Sequence, residues 1–183
     1  LTTRRQRQMC IRDRKSPLHG RCLEAGAKMV EFAGWEMPIQ FDGVLQEHKA
    51  VRQSCGLFDI SHMGVITLHG EQAKEALQNL VPSDLFRIGA GQACYTVLTN
   101  EKGGIIDDLI VYDNGFNQEN VQELHLVINA ATAQKDIEWI TDHSRKYKVD
   151  VVDKKGNGVL LALQGPGSEL KLEAVIKLSL IHI

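Results

Sequence analysis

The sequence predicts an α+β protein in which helices alternate with antiparallel strand pairs. Apolar residues recur at helical spacing in three segments, and short apolar runs bounded by polar or glycine-rich turns lie between those segments. With 183 residues and 43% hydrophobic content, the chain can build one ordinary domain or two small ones around a real core.

The three helical segments differ in how clearly they begin and end. The first covers residues 43–55, and the second has alanines and leucines at i, i+3, i+4 and i+7 over residues 73–80, followed by Pro82. The third runs from Thr132, which suits an N-cap, to Tyr147. Its apolar stripe consists of Ala133, Ile137 and Ile140.

Strands are predicted between the helices, at residues 64–69, 93–98, 105–112, 124–128, 149–152 and 159–163. The strands at 93–98 and 105–112 flank a polar connection that ends in Gly103 and Gly104, which suits a hairpin with positive φ. A second hairpin is predicted for the last two strands, around residues 154–158.

The ends of the chain do not continue these patterns. Residues 1–14 carry five arginines, and we expect a non-native tail there in preference to a mitochondrial transit peptide; residues 177–183 are predicted to be a second such tail. Between them we expect a discontinuous first domain formed by residues 15–60 and 144–176. Residues 61–143 form the second domain in this prediction.

Composition excludes several classes of function. A net charge of −2 gives no basic field for nucleic acid, and no apolar run is long enough to span a bilayer. The cysteines Cys10, Cys22, Cys55 and Cys94 lie far apart, which predicts reduced thiols and neither a disulfide scaffold nor structural zinc. No spacing typical of metal ligands is present, so we expect no metal site.

The segment 103–112, GGIIDDLIVY, places two aspartates inside an apolar strand. Successive strand side chains point to opposite faces, so Asp107 is expected beside Ile105 and Leu109, and Asp108 beside Ile106. A carboxylate on an apolar face needs donors, a cation or a raised pKa. Either both aspartates accept hydrogen bonds from backbone N–H groups in the turn after Gly104, or one of them faces a site. Spacing alone does not decide which aspartate that would be.

Two other segments have ordinary structural interpretations. Asp59, Ser61 and His62 lie too close along the chain to form a catalytic triad, and no nucleophile elbow is present. Residues 32–38, FAGWEMP, are predicted to be a loop that anchors the core, with a pocket for a flat ligand as the alternative.

Several segments, taken in order, resemble the glycine cleavage system T protein (aminomethyltransferase) family. They are 15–19 (KSPLH), 26–30 (GAKMV), 32–38, 43–48 (GVLQEH), 56–64 (GLFDISHMG), 91–96 (GQACYT), 103–112, 127–130 (VINA) and 163–166 (LQGP). The resemblance runs from about residue 15 to residue 176. It implies only the amino-terminal part of a three-domain, folate-dependent fold, with the carboxy-terminal β-rich domain missing.

The resemblance also implies a reaction. A one-carbon unit passes from the aminomethyl group on the lipoyl-bearing H protein to tetrahydrofolate, with release of ammonia. Asp107 is the implied catalytic residue, which orients the folate amine and accepts its proton. Met63, Tyr95, Leu109, Val127 and Asn129 are the implied folate contacts. Because the family is roughly twice as long, we expect this chain to bind folate weakly and to be inactive alone.

Two alternatives share the implied fold. One is a folate-binding assembly factor for iron–sulfur proteins, and the other is the folate domain of a sarcosine or dimethylglycine dehydrogenase-like enzyme. The expected location is the bacterial cytoplasm, or the mitochondrial matrix if residues 1–14 are genuine.

Overall fold

The computed structural model describes residues 14–156 and 158–176. The chain divides into two compact units, of which the first combines the segment up to His62 with the segment from Gly158 onward. The second unit is continuous, from Met63 to Asn157. Both units mix helices with mostly antiparallel strands, which confirms the α+β prediction.

The first unit contains two small sheets and three helices. In the first sheet β3 (Trp35–Gln40) lies between β1 (Arg14–Lys15), to which it is parallel, and β2 (Lys28–Phe32), to which it is antiparallel. The second sheet pairs β4 (Gly56–Asp59) antiparallel with β10 (Leu161–Gln164). The helices are α1 (His19–Glu24), α2 (Val44–Gln53) and α5 (Ser168–Ile176).

The segment 32–38 is not the predicted loop. Phe32 and Trp35 are opposite each other in the β2–β3 hairpin, and only Ala33 and Gly34 connect them, with φ values of 50° and 80°. A two-residue turn with two positive φ values matches the twist of the flanking strands. The two aromatic residues flank this turn, with Phe32 58% exposed and Trp35 half-buried, and Met37 is the buried apolar side chain of the segment.

The second unit is a five-stranded sheet with helices on one face. Its strand order is β6 (Ala93–Thr99), β7 (Ile105–Phe116), β8 (Gln122–Ile128), β5 (Gly64–His69) and β9 (Asp150–Asp153), with every neighbouring pair antiparallel. Helices α3 (Ala73–Gln78) and α4 (Ala133–Ser144) and a short 3₁₀ helix (Leu85–Arg87) complete the unit.

One face of this sheet builds the core. Alternate residues of β5, β7 and β8, including Ile66, Val111 and Leu126, are fully buried. They pack in one hydrophobic cluster with Leu77 of α3 and Ile140 of α4. The alternation follows from the two-residue period of a strand, and it leaves the intervening side chains on the opposite face. We call that opposite face the open face.

The hairpin predicted around residues 154–158 is wrong. Strand β9 pairs with β5, and β10 pairs with β4, so the two strands join different sheets. The second unit therefore extends to residue 157, past the expected boundary at residue 143. The hairpin at 99–104 is confirmed, with Gly103 at a φ of 77°.

Several predictions for the ends lie outside the described residues. They concern the tail at residues 1–13, its cysteine Cys10 and the tail at residues 177–183. Arg14, the last residue of the expected amino-terminal tail, is described and pairs with Trp35. The described cysteines Cys22, Cys55 and Cys94 are free thiols.

Candidate active site

A β-bulge determines where the two aspartates of β7 point. Leu98 is opposite Asp107 and Thr99 is opposite Ile105, so Ile106 is an extra residue without a partner on β6. Ile106 packs against the core, whereas Ile105 is 69% exposed. The alternation expected from the sequence places Ile105, not Ile106, on the same face as Asp107. The bulge therefore breaks the predicted grouping of Ile105 with Asp107.

Asp107 lies on the helix-covered face of the sheet. It is opposite the buried Leu98, and its neighbour two residues on is the buried Leu109. One carboxylate oxygen, Oδ1, accepts hydrogen bonds from Asn129 Nδ2 at 2.8 Å and from the Asp108 backbone N–H at 2.9 Å. The other, Oδ2, accepts a hydrogen bond from the Thr132 hydroxyl.

These donors keep Asp107 ionised. Desolvation alone would raise the pKa of Asp107, but hydrogen bonds from Thr132 and Asn129 outweigh it and hold that pKa below its usual value. With three donors already in place, Asp107 has little remaining capacity to accept a hydrogen bond from a ligand.

Asp108 points to the open face. Tyr95 on the neighbouring strand donates its hydroxyl hydrogen to Asp108 Oδ2 at 2.8 Å, and Asn129 Nδ2 donates to Asp108 Oδ1 at 2.9 Å. The bond to Asp108 raises the pKa of Tyr95, so the phenol stays protonated. One amide, that of Asn129, therefore bridges the two carboxylates, although they belong to opposite faces.

An apolar row runs across the open face beside Asp108. Tyr95, Ile110, Val127 and Val65 are opposite one another on four successive strands. Tyr95 is 68% exposed, whereas the three aliphatic side chains are half-buried. This row offers a flat apolar surface, with the carboxyl group of Asp108 and the amide of Asn129 at its end.

The sequence-predicted ligand residues divide between the two faces. Tyr95 and Val127 lie on the open face, and Asn129 lies at its end. Met63, directly before β5, is half-buried. Leu109 is only 3% exposed and packs in the core, which is not the ligand-facing position expected from the resemblance.

Two polar residues of the site were missed by sequence reasoning. Thr132 occupies the N-cap position of α4, but its hydroxyl caps no helix N–H group and instead donates to Asp107. Asp136, one turn into α4, is fully buried and lies within hydrogen-bonding reach of Asp107. The available signal was its place between Ala133 and Ile140 on the apolar stripe of the helix.

The Asp59, Ser61 and His62 segment forms no triad. The Ser61 hydroxyl donates to the Leu160 carbonyl, while Asp59 accepts from the Ser16 hydroxyl and the Ser61 N–H. The imidazole of His62 meets the ring of Phe32 edge to face at 5.4 Å. Within residues 14–156 and 158–176, no cluster of three metal-ligating side chains occurs. Within the same residues, no helix is long and apolar enough to cross a bilayer.

Comparison with known proteins identifies close relatives of this chain. Residues 18–182 match the family model described as the GCVT N-terminal domain. An aminomethyltransferase of Prochlorococcus marinus is 56% identical over 174 residues, which cover 94% of this chain and 47% of that protein. An aminomethyltransferase of a Synechococcus species is 60% identical over 153 residues, which cover 82% of this chain and 42% of that protein.

A solved structure agrees with these matches. The crystal structure of glycine cleavage system aminomethyltransferase T from Bartonella henselae superposes with a TM-score of 0.81 at 37% identity. The match covers 93% of this chain and 45% of that protein. The chain thus spans less than half the length of the relatives it matches.

Proposed function

The chain belongs to the GCVT N-terminal domain family of aminomethyltransferases, and from this premise we propose that it supplies part of a tetrahydrofolate-dependent active site. In the complete protein, the one-carbon unit passes from the aminomethyl group on a lipoyl-bearing H protein to tetrahydrofolate, and ammonia is released in glycine degradation. The observation that carries the proposal is Asp108, which adjoins an apolar row on the open face of a sheet.

The residues of the open face fit the chemistry of a folate. A pterin is flat, and Tyr95 with the half-buried Val127 and Ile110 offers a surface on which a flat ring can pack. The Nδ2 group of Asn129 donates to both aspartates, which leaves its Oδ1 atom to accept a hydrogen bond from the edge of a ring. We propose Tyr95, Val127 and Asn129, with Met63 at the start of β5, as folate contacts.

Tetrahydrofolate supplies the amine that reacts with the one-carbon unit. We assign the carboxylate that orients this amine and accepts its proton to Asp108, not to the expected Asp107. Asp108 lies on the open face, where a ligand can reach it, whereas Asp107 points toward α4 and already has three donors. Positioning of the amine at hydrogen-bonding distance is the main contribution expected of such a carboxylate.

A pair of isosteric substitutions in the full-length protein tests this assignment. Asp108→Asn should lower kcat about 100-fold or more, the range for loss of a positioned acid or base. Asp107→Asn should lower kcat by roughly tenfold or less and should mainly reduce stability, because it removes the anion that holds Asn129 and Thr132. The opposite ranking of the two variants would return the role to Asp107.

We also propose that the 183-residue chain alone binds tetrahydrofolate weakly and transfers nothing. It corresponds to 42–47% of the length of its curated relatives, so more than half of their residues have no counterpart in it. The test mixes the purified chain with aminomethylated H protein and tetrahydrofolate and measures ammonia release. Turnover within tenfold of the full-length protein would contradict this proposal.

The two alternative functions gain no support from the comparisons, because the relatives named above are aminomethyltransferases. The partner assignment is supported by the Bartonella henselae relative, whose name places it in the glycine cleavage system. Matches in Prochlorococcus and Synechococcus support the bacterial cytoplasm over the mitochondrial matrix as the location.

A further inference from the structure

Asp136 is a buried carboxyl group to which the proposed reaction gives no role. It lies on the side of α4 that faces the core, with the buried residues Ala133 and Ile140. Its side chain is fully excluded from solvent. An ionised carboxylate in such a place costs several kcal/mol unless donors or a cation compensate for the lost water.

Among the described residues, little such compensation surrounds Asp136. Neither of its carboxyl oxygens accepts a hydrogen bond of regular geometry from a residue in the described part of the chain. The groups within reach are the Asp107 carboxylate and the Thr132 hydroxyl. That hydroxyl has one hydrogen, which it donates to Asp107.

The charges around Asp136 favour its neutral form. Asp107 places a negative charge beside the buried group, which raises the pKa of Asp136. Lys135 on the same helix lowers that pKa only weakly, and its side chain is exposed. Besides β7, which carries Asp107, the elements that contact α4 most extensively in the described part of the chain are α3 and β9. Their ionisable residues are Lys74, Glu75, Asp150 and Asp153, and the ammonium group of Lys74 is paired with Asp113.

Two adjacent carboxyl groups without a cation between them share a single negative charge. Their environments decide which group keeps the proton. Asp107 accepts hydrogen bonds from Asn129, Thr132 and a backbone N–H group, all of which stabilise its charged form. For Asp136, burial is the largest influence, and together with the hydrogen bond to Asp107 and the charge of Asp107 it outweighs the weaker effects of Thr132 and Lys135 and raises the pKa of Asp136 to about 7.

We propose that Asp136 is a positioning residue: its buried carboxyl group keeps its proton well above the pH at which an ordinary aspartate loses it, and donates that proton in a hydrogen bond to Asp107. Asp107 then carries the one negative charge of the pair, and this charge orients the Asn129 amide. The same amide donates to Asp108 on the open face. A chain of hydrogen bonds thus runs from the core to the proposed reactive carboxylate, through Asp136, Asp107, Asn129 and Asp108.

This inference rests on the proposed function in one respect, because it describes residues that orient the proposed site. The proton shared by Asp136 and Asp107 does not depend on folate binding. The test therefore uses the 183-residue chain without ligand. Aspartates labelled with ¹³C at the carboxyl carbon are followed by NMR from about pH 3 to about pH 9. One aspartate resonance should titrate at least two pH units above the rest, and another should stay ionised to lower pH than the rest.

A substitution assigns the resonance with the high titration. Asp136→Asn should remove the high titration, because an amide has no ionisable proton. The variant should keep its fold, because the amide resembles a neutral carboxyl group and can still donate to Asp107. The matched control is Asp142→Asn, which removes an exposed aspartate of the same helix and should leave that titration unchanged. The side-chain amide signals of Asn129 should shift in the pH range in which Asp136 titrates, a response that a purely structural residue would not produce.

The infrared spectrum of the unsubstituted chain gives a second measurement that needs no folded variant. The carbonyl stretch of a protonated carboxyl group should persist at about pH 6 and disappear by about pH 8.5. The proposal is overturned if every aspartate titrates below about pH 5, or if the high titration belongs to Asp107. A failed folate reaction with a normal high titration would refute the proposed function and leave this inference intact.

Discussion

The buried carboxyl group of Asp136 should make the second unit less stable as pH rises. Its folded-state pKa of about 7 lies above the ordinary value of 3.8, so the folded chain binds more protons than the unfolded chain between these values. Each pH unit in that window removes about 1.4 kcal/mol. The two units between about pH 5 and pH 7 amount to roughly 3 kcal/mol, and the loss ends above pH 7.

The substitution Asp136→Asn isolates this effect from all other titrating groups. Asparagine has no proton to lose, so the free energy of unfolding of the variant, relative to the original chain, should rise by roughly 3 kcal/mol from about pH 5 to about pH 8. Every other ionisable group is common to both chains and cancels in this difference. The pKa of Asp107 is lowered below its ordinary value of 3.8, so this group affects stability only outside the window.

Urea unfolding followed by tryptophan fluorescence provides the assay. The sequence has two tryptophans, so a Trp35→Phe background leaves Trp139 on α4 as the single reporter of the second unit. Its ring stacks on His143 at 3.9 Å, so the folded baseline is fitted separately at each pH. Asp142→Asn is the control. A difference that stays flat within about 0.5 kcal/mol would refute the assignment of a raised pKa to Asp136.

Two further predictions concern the stability of the second unit, each measured by urea unfolding. Lys74→Met should cost about 3–5 kcal/mol, because Lys74 Nζ lies 2.6 Å from Asp113 Oδ2 and its removal leaves a buried carboxylate without its cation. The double variant Lys74→Met with Asp113→Leu should recover part of that loss. No recovery would contradict the ion-pair explanation. Gly70→Ala should cost at least about 2 kcal/mol, because the new Cβ would meet the Lys148 carbonyl oxygen at 2.2 Å. The control Gly89→Ala, also in the second unit, would place its new Cβ no closer than 3.9 Å to another side chain, at Gln92 Oε1, and should change stability by about 1 kcal/mol or less. Equal losses in both variants would remove the steric argument.

Local patterns predicted the elements of the second unit well. Strand β5 has the expected bounds, and helices α3 and α4 begin within one residue of their expected starts. Hydrophobic period is a property of adjacent residues, so it is visible in the sequence. Strand partners are not, which is why β9 was assigned to a hairpin when it pairs with β5, more than 80 positions earlier in the chain.

The site could be predicted only in part, for a related reason. Two aspartates in an apolar strand were a visible anomaly, and they lie at the site that we propose. Their orientation depends on the bulge at Ile106, which residue types do not reveal. Thr132 was predicted as a cap and Asp136 was overlooked, since their shared contact with Asp107 arises from packing of α4 on the sheet.

The strand order of the second unit has a consequence for how it folds. Strands β6, β7 and β8 follow one another in sequence and in space, so this meander can form through short loop closures. Strand β5 precedes them but pairs with β8 and with β9, which is the last strand of this unit to be synthesised. Such distant pairings are slow, because a long loop must close before contacts compensate for it. The edge of β5 that β9 covers therefore stays open until residue 153 has emerged from the ribosome.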